Sequence, residues 1–102
     1  MAQLLYIGDD NLFTVTLEQS EENPVIVASC YVALVEAGTD HEVGNQPWPL
    51  AMVPVPSERD RWQVMFQDTL RVPKGLEIEA LVTVDGGELG KKLFRFPMQV
   101  IQ

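Results

Sequence analysis

The chain has 102 residues, of which 46% are hydrophobic and 22% charged, a composition typical of one globular domain spanning residues 1–102. Its net charge of −8 argues against nucleic-acid binding, because the phosphate backbone would be repelled. The single cysteine excludes an intrachain disulfide, and no apolar run reaches the roughly 18 residues of a membrane helix. We therefore expect a soluble protein with no nucleic-acid or membrane partner.

The charges are unevenly distributed along the chain. Residues 1–58 contain nine acidic residues and no lysine or arginine, whereas residues 59–102 contain seven basic and six acidic residues. This asymmetry favours contact between an acidic surface and a basic surface, either with a like subunit or with a different protein.

The first half of the chain predicts strands rather than helices. Residues 1–7 lack the basic start and the length of a signal peptide, so export by that route is not expected. In residues 12–18, apolar side chains alternate with polar ones, which predicts a half-buried strand. A short piece is predicted at 25–27, and a central strand at 29–36 carries Cys30, whose thiol is predicted to be buried and inert.

A loop is predicted at residues 38–46, followed by a proline-framed segment at 48–53. Proline cannot donate to a strand ladder, so this segment is predicted to be an edge strand or a crossover between sheets. Trp48 either plugs one end of the fold or anchors an interface, since tryptophan is enriched at binding hot spots. The candidate protein-interface residues are Trp48, Pro49, Leu50, Met52 and Pro54.

Three more strands are predicted at residues 61–67, 76–84 and 94–100, with Lys92 nearer the hairpin end of the last. Leu70 and Val72 are expected to reach the core between the first two of these strands. Asp85-Gly86 is a strong hairpin signal, and Pro97 predicts an unpaired outer ladder on the last strand. The fold class is therefore all-β, an antiparallel sandwich of about seven strands without a disulfide. Its predicted core consists of Phe13, Val15, Leu17, Tyr31, Trp62, Val64, Phe66, Ile78, Val82, Phe94 and Phe96.

The sequence predicts no catalytic, metal or cofactor site. His41 is the only histidine, and with one cysteine the chain lacks the nitrogen and sulfur ligands of a zinc site. Glu77 and Glu79 lie on one face of a strand about 7 Å apart, which leaves a carbohydrate-binding or carbohydrate-processing domain as an alternative. Two acidic residues on a solvated sheet face are the simpler interpretation.

The order of these features resembles small immunoglobulin-like β-sandwich proteins encoded among the head and tail structural genes of tailed bacteriophages and prophages. The resemblance is carried by the strand at 13–17, the apolar run at 31–34, the segment 48–52, the Gly86-Gly87 hairpin and the terminal residues 94–100. The chain departs from that pattern at Asp60-Arg61-Trp62 and at Leu76.

The resemblance implies a non-enzymatic virion or assembly component, made in the bacterial host cytoplasm, whose partners are other protein subunits. It implies no cofactor and no catalytic residue. A stand-alone acidic binding module, such as an inhibitor or adaptor of a bacterial cytoplasmic protein, is the first alternative function.

Overall fold

The computed structural model describes residues 3–17, 29–58, 60–86 and 91–102. In these ranges the chain forms eight β-strands and no helix, so no described helix is long and apolar enough to cross a membrane. The strands are β1 (Gln3–Tyr6), β2 (Asn11–Thr16), β3 (Ser29–Glu36), β4 (Leu50–Ala51), β5 (Val53–Pro54), β6 (Arg61–Phe66), β7 (Ile78–Asp85) and β8 (Lys91–Ile101).

The strands form two sheets. The larger sheet has the order β1-β8-β7-β3-β4, and the smaller sheet has the order β2-β6-β5. All pairs are antiparallel except β1 with β8, which run parallel. The prediction of a purely antiparallel fold is therefore wrong at this pair. Parallel neighbours need a long connection, and here nearly the whole chain separates the first described strand from the last.

The two sheets share one apolar core, because period-two alternation turns one face of each sheet inward. From the larger sheet, β3 buries Val32 and Leu34, and β7 buries every second residue from Ile78 to Val84. From the smaller sheet, Phe13 and Phe66 lie in the same cluster, with ring centroids 5.4 Å apart. We call these the inner faces and the opposite ones the outer faces.

The structure confirms most of the strands predicted from alternation. β2, β3, β6, β7 and β8 lie within or close to the predicted ranges, and Leu70 and Val72 are buried as expected. The predicted segment 48–53 is divided between β4 in the larger sheet and β5 in the smaller one, which confirms a crossover at the sheet edges. The predicted piece at 25–27 and the tip of the hairpin after Gly86 lie outside the described residues.

Two of the predicted core residues are exposed. Tyr31 is 36% exposed on the side of β3 opposite its buried neighbours Cys30 and Val32, although Ala33 and Val35 on its own side are buried. Phe94 lies opposite the buried Val82 but is 40% exposed, on a stretch of β8 that only β7 flanks among the described strands. Of the remaining predicted core, Phe13, Val15, Leu17, Phe66, Ile78 and Val82 are buried, and Trp62, Val64 and Phe96 are half-buried against the core.

The prediction for the outer ladder of β8 is wrong from Met98 onward. There, β1 pairs with Met98 to Ile101. Along residues 91–97 the ladder to β7 is the only pairing with a described strand. Pro97 thus immediately precedes the point where β8 gains its second neighbour.

Candidate interaction surfaces

Trp48, the most distinctive candidate, is anchored in the fold. Its indole N–H donates to the carbonyl oxygen of Val43 at 2.8 Å, and its ring meets Phe66 edge-on with 6.0 Å between centroids. The side chain is half-buried against the core. These contacts agree with the structural role predicted for Trp48, that of filling one end of the fold. A role of Trp48 at an interface stays a prediction.

The other candidate interface residues divide into buried and exposed members. Met52 is only 4% exposed, and its sulfur accepts a hydrogen bond from the Cys30 thiol at 3.6 Å. Leu50 is half-buried, whereas Pro49 and Pro54 are exposed. Val53, which the sequence did not single out, is 54% exposed beside them. A partner at this segment would therefore contact the prolines and Val53 rather than Met52.

Cys30 is buried at the start of β3. It is 1% exposed, and burial raises the pKa of its thiol to about 11. A thiol with such a pKa is almost entirely protonated near neutral pH, and the thiolate is the nucleophilic form. The contacts of Cys30 are those of a core residue.

The histidine and the acidic residues considered as candidate metal or catalytic groups either take part in structural contacts or are exposed to solvent. His41, Asp40 and Glu42 are all exposed, and no group of three potential metal ligands comes together within the described residues. A carboxylate oxygen of Glu79 accepts the backbone N–H of Gly38 at 2.7 Å. Glu77 is exposed. Glu79 is thus engaged in holding a loop, which weighs against a free carboxylate pair.

Arg95 completes this arrangement across the outer face of the larger sheet. From β8 its guanidinium donates to the carbonyl oxygen of Thr39 at 2.7 Å, to the carboxylate of Asp40, and to Glu79 at 3.4 Å. We call these four residues the Arg95 bracket. The bracket fixes the loop that follows β3 against the sheet.

Apolar side chains lie on the same outer face beyond one end of the bracket. The strand registers place Ala51, Tyr31, Thr83 and Leu93 in one row across four neighbouring strands. Leu93 is 60% exposed, the highest value among the large hydrophobic residues that the structure describes. We call this the Tyr31 row. Exposed apolar residues that cluster on a sheet face are typical of binding surfaces.

Smaller apolar groups lie elsewhere on the outer faces. On β1, Leu4 and Tyr6 are 43% and 45% exposed, on the far side of the Arg95 bracket from the Tyr31 row. On the smaller sheet, Leu12 is 50% exposed opposite Met65, which is 41% exposed. Each of these pairs covers at most two strands, whereas the Tyr31 row crosses four.

The stretch Lys91–Pro97 of β8, which we call the open edge, agrees with the unpaired outer ladder that Pro97 predicted, but the exposure of its apolar residues was not predicted. Six of its seven residues are exposed, among them Leu93 and Phe94. The two lysines before these residues were the available signal, since lysine is a common device for protecting an edge strand. Phe94 was predicted to lie in the core because alternation reports only which face of a strand a residue occupies, and not whether other residues cover that face.

No family model, no curated protein and no solved structure matches the chain.

Proposed function

We propose that this chain is a non-enzymatic protein-interaction module with an immunoglobulin-like sandwich fold, acting as a structural or assembly protein of a tailed bacteriophage or prophage. The origin is proposed from the sequence resemblance described above. The observation that carries the interaction function is the Tyr31 row, where Tyr31 and Leu93 are exposed on the outer face of the larger sheet. Its partners are other protein subunits, and it acts in the bacterial cytoplasm or in the virion.

The Tyr31 row has the composition of an interface centre. Tyrosine is enriched at interfaces, because its ring offers a large apolar area and its hydroxyl a hydrogen bond. Leu93 lies at the other side of the row, separated from Tyr31 by Thr83 alone. Charged residues border the row at the Arg95 bracket, which matches the usual arrangement of an apolar centre and a polar rim.

The test measures molar mass by light scattering across a wide range of protein and salt concentrations. We expect an oligomer that Tyr31→Ser and Leu93→Ser weaken, because both remove apolar area from the contact. Val53→Ser and Leu12→Ser are matched controls, since they remove similarly exposed side chains from the smaller sheet. An oligomer sensitive only to the control substitutions would contradict the assignment to the Tyr31 row.

A stand-alone acidic adaptor is the second candidate, favoured by the nine acidic residues and the absence of bases in residues 1–58. Such a protein would remain monomeric under all conditions and would bind a basic partner with an affinity that falls steeply with salt. The same scattering series separates the two candidates, because only an assembly protein that contacts its own copies changes mass with concentration.

A further inference from the structure

We propose that the open edge, Lys91–Pro97, takes up an extended acidic segment of another protein as an added β-strand. This inference rests on the proposed interaction function and specifies the chemistry of one partner. It concerns the edge of the larger sheet, whereas the Tyr31 row concerns its outer face.

The backbone at the open edge offers unused pairing capacity among the described strands. β7 pairs with every residue from Lys91 to Met98, and β1 pairs only from Met98 onward. In an antiparallel pair, every second residue directs its N–H and C=O away from its neighbour. Seven residues span about 23 Å, which is enough for a short strand to add by main-chain hydrogen bonds.

The side chains of the open edge provide apolar contacts on both faces. Leu93 lies on the outer face, 60% exposed, and Phe94 lies on the inner face, 40% exposed and opposite the buried Val82. Successive residues of an added strand point to opposite faces. Two adjacent apolar residues of the partner would therefore cover Leu93 and Phe94, the second of them extending the core at this corner.

The charges of the open edge select an acidic partner. The stretch holds three of the seven basic residues of a chain with net charge −8. Arg95 is engaged in the Arg95 bracket, but Lys91 and Lys92 are exposed at the start of the edge. Lysines on an edge discourage pairing with neutral or basic strands, and opposite charges on paired strands attract. The fitting occupant has acidic residues next to an apolar pair.

A second copy bound through the same edge fits less well. The antiparallel register that pairs Leu93 of one copy with Phe94 of the other would place Lys92 opposite Arg95. Like charges directly across a strand pair are destabilising. The charge pattern thus favours a different sequence as the added strand.

The experiment uses the full chain and a short capped peptide of about eight residues, which matches the length of the edge. The acidic probe has two central valines with glutamates on both sides, and the control peptide has lysines in place of the glutamates. Amide hydrogen exchange measured by NMR reports which backbone groups the peptide protects. Fluorescence anisotropy of the labelled peptide reports its affinity at low and high salt.

We expect the acidic peptide to protect amides within residues 91–97 and to bind more weakly as salt rises. Lys92→Glu should weaken this binding about fivefold, because it turns an attraction across the strand pair into a repulsion, and should improve binding of the lysine peptide. Lys74→Glu is the matched control. It makes the same charge change at an exposed lysine near the opposite end of β7, and should leave both affinities nearly unchanged.

Three results would overturn the inference. They are the absence of new protection in residues 91–97, equal binding of both peptides, and equal effects of Lys92→Glu and Lys74→Glu. The failure of this inference is distinguishable from that of the proposed function. An oligomer weakened by Tyr31→Ser, with no peptide bound at the edge, would leave the interaction module in place and remove only the added strand.

Discussion

Two stretches of the chain carry proline at a sheet edge, and they present different surfaces. Residues 47–56 contain four prolines, yet their large side chains, Trp48 and Met52, turn inward and contact the core. The open edge contains one proline and leaves Leu93 on the outer face and Phe94 on the inner face exposed. Proline therefore marks the edge in both cases. The two stretches differ in how their side chains pack, since Trp48 bonds to the carbonyl oxygen of Val43 and contacts Phe66, whereas Leu93 and Phe94 stay exposed.

Trp48 should contribute strongly to the stability of the fold. Trp48→Ala should lower the free energy of unfolding by about 3 kcal/mol, because it removes the contact with Phe66 and leaves the carbonyl of Val43 without its donor. Urea unfolding measures the change. A loss of partner binding with unchanged stability would instead make Trp48 an interface anchor.

Met52 packs in the core against the thiol of Cys30. Met52→Ala should cost about 2 kcal/mol, because it opens a cavity in the core. Entry of water should also lower the raised pKa of Cys30, whose cause is burial. A pKa lower by one raises the fraction of Cys30 present as thiolate at pH 8 about tenfold.

The rate of alkylation of the native protein at pH 8 reports this change, with Val53→Ala as the exposed control next to Met52. In the unsubstituted protein the thiol should react only after denaturation. Fast labelling of the native protein would show that Cys30 is accessible.

Arg95 lies on the open edge and holds the loop after β3 through its side-chain bonds. Arg95→Ala should lower the free energy of unfolding by about 1 kcal/mol through loss of the bonds to Thr39, Asp40 and Glu79. Part of that loss should disappear at high salt. Lys92→Ala, which removes a cation from the same strand, should leave the stability almost unchanged.

Leu93 should show the smallest effect on stability. Leu93→Ser should change the free energy of unfolding by less than about 0.5 kcal/mol, because the side chain is already mostly in solvent. The same substitution should weaken self-assembly in light scattering. A large loss of stability would place Leu93 in a packed environment and contradict its assignment to a docking surface.

Alternation in the sequence predicted strands such as β2 and β7 because each of these has one wetter face and one dry face. β7 is the clearest example, since four of its eight residues, from Ile78 to Val84, are buried in strict alternation. β1 escaped recognition because four residues, two of them exposed, carry too little pattern. Its parallel partner was unpredictable, because that pairing joins residues at the two far ends of the chain.

The candidate site was harder to predict than the fold. Alternation states which side of a strand a residue occupies, but not whether a second layer covers that side. Phe94 and Phe96 have the same parity, yet only Phe96 packs against the core, with its ring centroid 6.5 Å from that of Phe13. Both residues precede Met98, where β1 begins to pair, so their difference lies in what packs over each of them, which no alternation within residues 91–97 encodes.

The parallel pairing of β1 and β8 has a mechanical consequence. Gln3 lies beside Met98, and Tyr6 lies beside Ile101. A pull on residue 3 against residue 101 is therefore directed along both strands, and it loads the bonds between them together as a shear. An antiparallel terminal pair, pulled from one shared end, would open its bonds one after another. The β1–β8 pair should therefore resist such a pull through all of its bonds at once, and the sheet should not open from one end.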